Sequence, residues 1–299
     1  MMKRLLPLLL CVSVLFGCDR EPATVPSYLH IDEMNVSTNY VEHGTASSNI
    51  TTAWVEIDGD MIGVFELPAV VPVAKSGQHE LKLYPGINLN GIQSLRNIYE
   101  FYQPYEEVMT FVENEDVWPD AANDSVPTVT YSPQSFYTYR PIEDFEDISL
   151  AFEISNRADT GLSRTTDPNL VFNDPELNEN STQSGYVRLP DEDFLFEVIS
   201  VEEFTDLPKG GANVYLEMNY KIDAVATVGV FRRIPGQVDQ VPVVGLFPTD
   251  GEWKKIYINL VTEVSAVPNA EGFRIFIGAV NVEGNGEMDM LFDNIKLVY

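Results

Sequence analysis

Along most of this chain, apolar and polar residues alternate with a period of two. The segment NVYLEMNYKI, residues 213–222, shows the pattern most clearly. Such alternation is typical of a β-strand with one buried and one solvated face. Long segments with helical periodicity are absent, so we predict an all-β protein. In this strand the apolar set is Val214, Leu216, Met218, Tyr220 and Ile222, and the polar set is Glu217, Asn219 and Lys221.

The predicted strands fall into two units, residues 28–140 and residues 141–299. In the first unit, Asp58-Gly59 is a favoured turn pair and predicts a hairpin. In the second, Asn285-Gly286 lies between the last two predicted strands and indicates another hairpin. We therefore expect two β-sandwiches in tandem, an immunoglobulin-like one followed by a jelly roll.

The chain begins with a short apolar run that is typical of a removed export signal. Lys3 and Arg4 precede an uncharged stretch, residues 5–16, which is too short to cross a bilayer as a helix. The sequence LFGC that ends at Cys18 resembles the lipobox of bacterial lipoproteins. In that family the signal is cut before the cysteine, and the cysteine thiol carries a diacylglycerol.

This resemblance implies a signal peptide over residues 1–17, a lipid on Cys18 and a tether over residues 18–27. Cys11 lies within the removed segment, so the mature protein would retain one cysteine and form no internal disulfide. A plain signal peptide with an incidental cysteine is the alternative. Acyl chains on Cys18 would hold the protein firmly on a membrane.

The residues after the cysteine bear on which membrane surface the protein occupies. The sequence DREP, residues 19–22, resembles the export signals that carry lipoproteins to the cell surface in Bacteroidota. In other Gram-negative bacteria, an aspartate here is typical of retention at the inner membrane. We expect an outer-membrane anchor with the protein facing the cell exterior.

The net charge limits the kinds of partner. The chain has 46 acidic and 18 basic residues and a net charge of −28. A phosphate backbone would repel such a surface, so we do not expect nucleic-acid binding. Direct attraction to anionic lipid is equally disfavoured, so the membrane contact would be made by the acyl chains.

Each unit resembles a known class of β-sandwich. The order WVEIDGDMIGVFELP and SGQHELKLYPG in the first unit resembles PEGA-type domains, which are surface or interaction modules without catalytic residues. The ending DGEWKKIYINL, GFRIFIGAV and MDMLFDNIKLVY resembles the close of jelly-roll domains of the carbohydrate-binding-module type. The second resemblance implies a fold and leaves the ligand open.

Aromatic residues are concentrated between the two units. They have two interpretations, a core and seam that join the units or an exposed platform for a protein partner or a glycan. The candidate contact residues are Tyr99, Phe101, Tyr102, Tyr105 and Trp118, with Trp253 in the second unit.

Catalytic motifs are not found. The three histidines all lie in the first unit, which excludes a His-based zinc site or a Ser-His-Asp triad in the second. Carboxylate pairs are plentiful in an acidic chain, and their separation across a cleft is not visible in sequence. We expect a non-catalytic protein.

Two further sites are predicted. In jelly rolls of this type, acidic residues at the start and the end of the domain hold one structural calcium ion. The resemblance implies that Glu146 and Asp293 are the calcium ligands here. The alternative is that Asp293 makes an ordinary turn and that Glu146 is solvated. Asp124-Ser125-Val126 matches the acceptor motif for O-glycosylation in Bacteroidota, with the sugar on Ser125.

Two functions compete. The first is a non-catalytic, lipid-anchored accessory subunit of an outer-membrane complex, with a β-barrel protein and other lipoproteins as partners. This hypothesis predicts an exposed aromatic patch around residues 99–105 or 136–139. The alternative is a cell-surface glycan-binding lipoprotein that serves nutrient uptake. The ring candidates for sugar binding in the second unit are Tyr215, Tyr220, Phe231 and Trp253.

Overall fold

The computed structural model describes residues 25–120, 125–174, 177, 179–282 and 286–299. It is built almost entirely of β-strands, which confirms the predicted all-β sandwich class. Two short helices occur among the described residues, α1 (Tyr40–His43) and α2 (Val261–Ser265). None of the helices in these ranges is long and apolar enough to cross a membrane.

The first ten strands of the described residues belong to the N-terminal lobe. Strands β5, β1 and β9 form one sheet, β4, β3, β6 and β7 form a second sheet in which β8 also pairs with β6, and β2 pairs with β10. The strands are β1 (Ser27–Ile31), β2 (Asn35–Ser37), β3 (Thr52–Ile57), β4 (Asp60–Glu66), β5 (Ala69–Val73), β6 (Gly77–Asn88), β7 (Arg96–Ile98), β8 (Tyr105–Phe111), β9 (Asp116–Val117) and β10 (Thr128–Thr130).

The predicted hairpin at Asp58-Gly59 is confirmed. Strands β3 and β4 pair directly across it, and the two turn residues have φ values of 55° and 83°. Positive φ at both central residues is what a tight two-residue hairpin requires. The inner faces of the two main sheets pack on each other through residues such as Leu29, Val55 and Leu83, all fully buried.

Among the described residues, the C-terminal lobe contains thirteen strands, of which eleven form two large sheets and two form a small separate sheet. One has the order β13–β16–β23–β18–β21, with β11 also pairing with β23, and the other has the order β12–β17–β22–β19–β20. The strands are β11 (Tyr139–Glu143), β12 (Phe152–Ile154), β13 (Ser163–Thr165), β14 (Asn173–Asp174), β15 (Glu179–Asn180), β16 (Ser184–Leu189), β17 (Leu195–Ser200), β18 (Tyr215–Ile222), β19 (Ala226–Ile234), β20 (Gln237–Leu246), β21 (Lys254–Asn259), β22 (Gly272–Val280) and β23 (Met288–Val298).

The two large sheets pack face to face around one hydrophobic core, in which the rings of Phe196 and Phe292 stack. The predicted hairpin between the last two strands is wrong. Strand β22 pairs with β17 and β19, whereas β23 pairs with β11, β16 and β18, so the connection passes from one sheet to the other. An Asn-Gly pair permits a tight turn but does not require that its flanking strands pair.

The predicted solvated face of β18 is also corrected. Glu217 and Asn219 are fully buried, because the N-terminal lobe covers this side of the sheet. Asn219 Nδ2 donates to Ser47 Oγ at 2.8 Å, and Tyr99 of the N-terminal lobe donates to Glu217. Alternation identified a polar face correctly, but a second lobe rather than water contacts it.

A buried ion cluster lies at this junction. Glu217 accepts hydrogen bonds from the hydroxyls of Tyr99 at 2.6 Å and Tyr131 at 2.9 Å. The Nζ atoms of Lys255 and Lys296 lie 2.8 Å and 3.4 Å from the same carboxylate. Burial alone would raise the pKa of Glu217, but attraction by the two lysines outweighs it and lowers this pKa to about 2. The cluster therefore ties residues of the N-terminal lobe to the C-terminal sheet.

Candidate functional site: the open face of the five-stranded sheet

The outer face of the sheet β12–β17–β22–β19–β20 is the candidate site, and we call it the open face. The inner face packs into the core through residues such as Val198, Val230 and Ile277. On the other side, Val201 and Val238 are more than half exposed, and two shallow depressions open between the side chains. A sheet face that carries exposed apolar groups is a candidate for ligand contact.

The strand register aligns the residues of this face in rows. One row runs across four strands through Ile199, Phe276, Gly229 and Pro242. In the next row, Phe231 lies between Arg274 of β22 and Gln240 of β20. Aromatic and polar side chains therefore occupy neighbouring positions at the centre of the sheet.

Two aromatic rings form the centre of the open face. The centroids of Phe231 and Phe276 are 5.3 Å apart with an interplanar angle of 57°. Phe276 points away from the core of the lobe but is buried, at 3% exposed, and its ring lies against Gly229. A Cβ atom added at Gly229 would lie 2.6 Å from Phe276 Cε1 and 2.3 Å from the Val241 carbonyl oxygen. Only glycine leaves room for this ring.

Gly229→Ala is therefore expected to destabilise the fold by ~1–3 kcal/mol, because an overpacked side chain forces its neighbours away. The measurement is the free energy of unfolding from urea titration. Gly245→Ala is the matched control, since a Cβ at Gly245 meets no atom within 4 Å. Equal stability of the two variants would contradict the placement of Phe276 over Gly229.

A polar network lies beside the rings. Arg157 donates from Nε to Glu197 Oε1 at 2.9 Å, and Gln240 Nε2 donates to Glu197 Oε2 at 2.7 Å. Arg157 also donates to the Gln240 side-chain oxygen. Burial raises the pKa of Glu197, but hydrogen bonds from Arg157, Ser155 and Gln240 outweigh this effect and hold the pKa below its ordinary value. Glu197 is therefore a carboxylate at neutral pH.

The same network shows that the open face is concave. Glu197 belongs to β17 and Gln240 to β20, and strands β22 and β19 lie between them. Three inter-strand spacings of ~4.8 Å would separate these backbones widely in a flat sheet. Their side chains meet because the sheet curves, and Gly278 between them carries no side chain that would block the approach.

Ion pairs border the other end of the face. Arg274 pairs with Glu153, and Arg233 pairs with Glu203 at 2.7 Å and with Glu271. The carboxylates of Glu153, Glu197 and Glu203 are thus each held by an arginine. The open face presents the partly exposed Phe231 ring, flanked by planar polar groups that are already oriented by their partners.

The aromatic residues predicted from the sequence are dispersed. Tyr99, Phe101 and Tyr102 are buried, so the prediction that they contact a protein partner or a glycan is wrong. Their rings pack edge to face against one another and against Tyr215 and Tyr257 of the C-terminal lobe. These rings therefore lie at the seam between the two units, which was the alternative interpretation. In the second proposed patch, Phe136 is exposed while Tyr139 is buried.

The remaining ring candidates occupy different surfaces. Tyr105 is half-buried and donates to Glu107 at 2.8 Å, and Trp253 is half-buried and donates to the Val171 carbonyl at 3.2 Å. Trp118 is exposed. Of the four proposed sugar-binding rings, Tyr215 is buried, Tyr220 and Trp253 lie elsewhere, and Phe231 lies on the open face.

The predicted calcium ligands do not assemble a metal site from the described residues. Glu146 accepts from the backbone N–H groups of Thr182 and Gln183, and Asp293 accepts from Ser184 Oγ and Asn294 N. Both carboxylates therefore face donors, and no group of three His, Cys, Asp or Glu side chains suited to a metal occurs in the described ranges. Calcium binding stays a prediction.

Two modification sites stay predictions as well. Cys18 and the signal peptide lie outside the described residues. Ser125 is described, is half-buried and has a φ of 63°, whereas Asp124 of the same motif lies outside them.

Comparisons with known proteins find similar folds among solved structures only at low identity. No family model and no curated protein matches the sequence. A solved β-sandwich carbohydrate-binding module aligns over 93% of this chain and 99% of its own, with 13% identity and a TM-score of 0.41. The tandem CBM22-1–CBM22-2 domain of Paenibacillus barcinonensis Xyn10C aligns over 84% and 75%, with 13% identity and a TM-score of 0.36.

The active domain of tailspike protein 4 of bacteriophage CBA120 aligns over 52% of this chain, with 14% identity and a TM-score of 0.37. This chain spans 20% of that tailspike chain. At such identities the likeness concerns the fold alone.

Sequence reasoning found one residue of the open face, Phe231, and missed the others. The strand GFRIFIGAV carries apolar residues on both faces, so alternation did not show that Phe276 points outward. The missed residues are Arg157, Glu197, Gln240, Arg274 and Phe276.

Proposed function

We propose that this protein is a non-catalytic glycan-binding protein and that the open face is its binding site. The observation that carries the proposal is the combination on one concave sheet of the partly exposed Phe231 ring, backed by the buried Phe276 ring, with the Arg157–Glu197–Gln240 network. Sugar rings have apolar faces that stack on aromatic rings and hydroxyl groups that bond to planar polar groups. The open face supplies both kinds of contact.

The pairing of the carboxylates supports binding without catalysis. The carboxylates of the open face are each paired with an arginine, which favours their charged form and disfavours a general acid. Glycosidases need one carboxylate that stays protonated. Arg157, Glu197 and Gln240 instead suit a role as fixed donors and acceptors for sugar hydroxyls.

In this proposal the lipid on Cys18 holds the protein on the outer membrane, with the open face towards the cell exterior. The accessory-subunit hypothesis relied on an exposed aromatic patch, and the burial of Tyr99, Phe101 and Tyr102 removes its main predicted contact. We therefore favour glycan binding over a role as a structural subunit.

Phe231→Ala is expected to weaken glycan binding about tenfold or more, because it removes a stacking ring from the centre of the face. The measurement is affinity electrophoresis of the chain without its signal peptide, in gels that contain xylan, β-glucan, galactomannan, amylopectin or polygalacturonate.

Phe247→Ala is the matched control, since Phe247 is exposed but lies outside the open face. Unchanged retardation of the Phe231→Ala variant in every gel that retards the parent protein would refute the site. Failure of all five polysaccharides to retard the parent protein would count against the function itself.

A further inference from the structure

The outer face of the sheet β5–β1–β9 carries a second aromatic surface, which is separate from the open face. Tyr28 and His30 of β1 lie opposite Pro72 and Val70 of β5. Their sequence neighbours on the other side of the strands, such as Leu29 and Val71, are buried in the core of the N-terminal lobe. The side chains of Tyr28, His30, Val70 and Pro72 therefore face away from the core and can contact a ligand.

Trp118 follows β9 and completes this surface. Its indole stacks on the His30 ring, with centroids 4.5 Å apart and an interplanar angle of 19°. His30 Nε2 lies 2.8 Å from Asp116 Oδ1, so the imidazole is itself held in place. Trp118 remains 39% exposed. Because the imidazole covers one face of the indole, a ligand ring would have to stack on the other face.

This arrangement is preorganised. A free tryptophan side chain loses rotamer freedom when a ligand stacks on it, which weakens binding. Here the Asp116–His30 contact and the His30–Trp118 stack have already fixed the indole. The Asp116 side chain is 58% exposed and stands beside the platform as a hydrogen-bond acceptor.

The negative charge around Trp118 disfavours anionic ligands. Glu113, Glu115 and Asp116 are exposed carboxylates within five residues of Trp118 in sequence. A uronic acid or sulfated sugar would be repelled by them. A sugar ring without negative charge has an apolar face for the indole and hydroxyl donors for Asp116.

We propose that Trp118, supported by His30 and Asp116, is the platform of a second glycan-binding site that takes sugar rings without negative charge. This second site binds glycans, as the open face is proposed to do, but it lies on a different surface and uses different residues. Two sites on one chain that engage the same polysaccharide would raise its apparent affinity through effective concentration.

The test uses the Phe231→Ala background, in which the open face is disabled. Retardation of this variant is measured in gels that contain xylan, β-glucan, galactomannan, amylopectin or polygalacturonate. At least one of the four neutral polysaccharides should still retard it, and polygalacturonate should not. Adding Trp118→Ala should weaken this residual binding about tenfold, and Trp118→Phe should restore part of it because a ring remains.

Thermal unfolding of each variant checks that the fold is intact. Three results would overturn the second site. The Phe231→Ala variant is retarded by no neutral polysaccharide, or adding Trp118→Ala leaves its retardation unchanged. The third is that polygalacturonate retards the Phe231→Ala variant and that Trp118→Ala abolishes this retardation. The open face is judged separately, from the parent protein against Phe231→Ala. The two proposals can therefore fail independently.

Discussion

Replacing Glu217 by glutamine is expected to lower the free energy of unfolding by about 3–5 kcal/mol. Glutamine has nearly the same shape and retains an oxygen that accepts from Tyr99 and Tyr131. It removes the negative charge, however, and leaves Lys255 and Lys296 buried without a counter-ion. A buried charge that has lost its partner is strongly destabilising. The expected loss is a large share of the stability of an ordinary domain.

Urea unfolding at pH 7 measures this effect. Glu106→Gln is the matched control, because Glu106 pairs with Lys82 at 2.9 Å on the surface and such pairs contribute ~0–1 kcal/mol. If Glu217→Gln unfolded at the same urea concentration as the control, the ion cluster would not stabilise the junction of the lobes.

The same residue predicts how the protein responds to acid. The pKa of Glu217 in the fold is about 2, below its ordinary value of 4.5. A lowered carboxyl pKa contributes stability that is present above pH 4.5 and is lost as the pH falls towards 2. The parent protein should therefore lose stability over this range more steeply than the Glu217→Gln variant.

Asp293→Asn is expected to stabilise the protein at pH 8 in the presence of a chelator, by on the order of 4 kcal/mol. Burial raises the pKa of Asp293 to about 7, and hydrogen bonds from Ser184 and Asn294 offset only part of this effect. A raised carboxyl pKa means that stability is full below pH 3.8 and is lost as the pH rises through 7. Asparagine removes that loss.

Thermal unfolding at pH 4 and pH 8 measures this gain, which should be absent at pH 4. Asp60→Asn is the control, because the Asp60 side chain is 79% exposed and should show no gain at either pH. Repeating the series with calcium tests the calcium prediction, since an ion on Asp293 would stabilise the parent protein alone. A destabilised Asp293→Asn variant at pH 8 in chelator would contradict the burial of an uncompensated carboxylate.

The fold class and one hairpin could be read from local patterns. Alternation in β18 separated its two faces correctly, and Asp58-Gly59 set the β3–β4 turn, because side-chain direction and turn geometry are local properties. Whether a face contacts water or another lobe depends on segments that are distant in sequence. Glu217 and Asn219 look like surface residues until the N-terminal lobe is placed against them.

The candidate site depends on curvature and on contacts between distant segments, which short patterns do not encode. Glu197 and Gln240 are 43 positions apart in sequence and lie on strands that are not neighbours, so their side chains meet only because the sheet is concave. Phe276 lies in a strand with apolar residues on both sides, so its outward direction follows from register with Gly229. Phe231 could be named in advance because its strand and ring type were both visible.

The most direct test of the central claim is methyl NMR of the Trp118→Ala variant titrated with oligosaccharides of the polysaccharide that retards it most. We expect the methyl signals of Ile199, Val201 and Val238 on the open face to shift, while that of Ile92, an exposed residue elsewhere, stays constant. Shifts at Ile92 with none at Ile199 or Val201, or no shift at any of them, would contradict glycan binding by the open face.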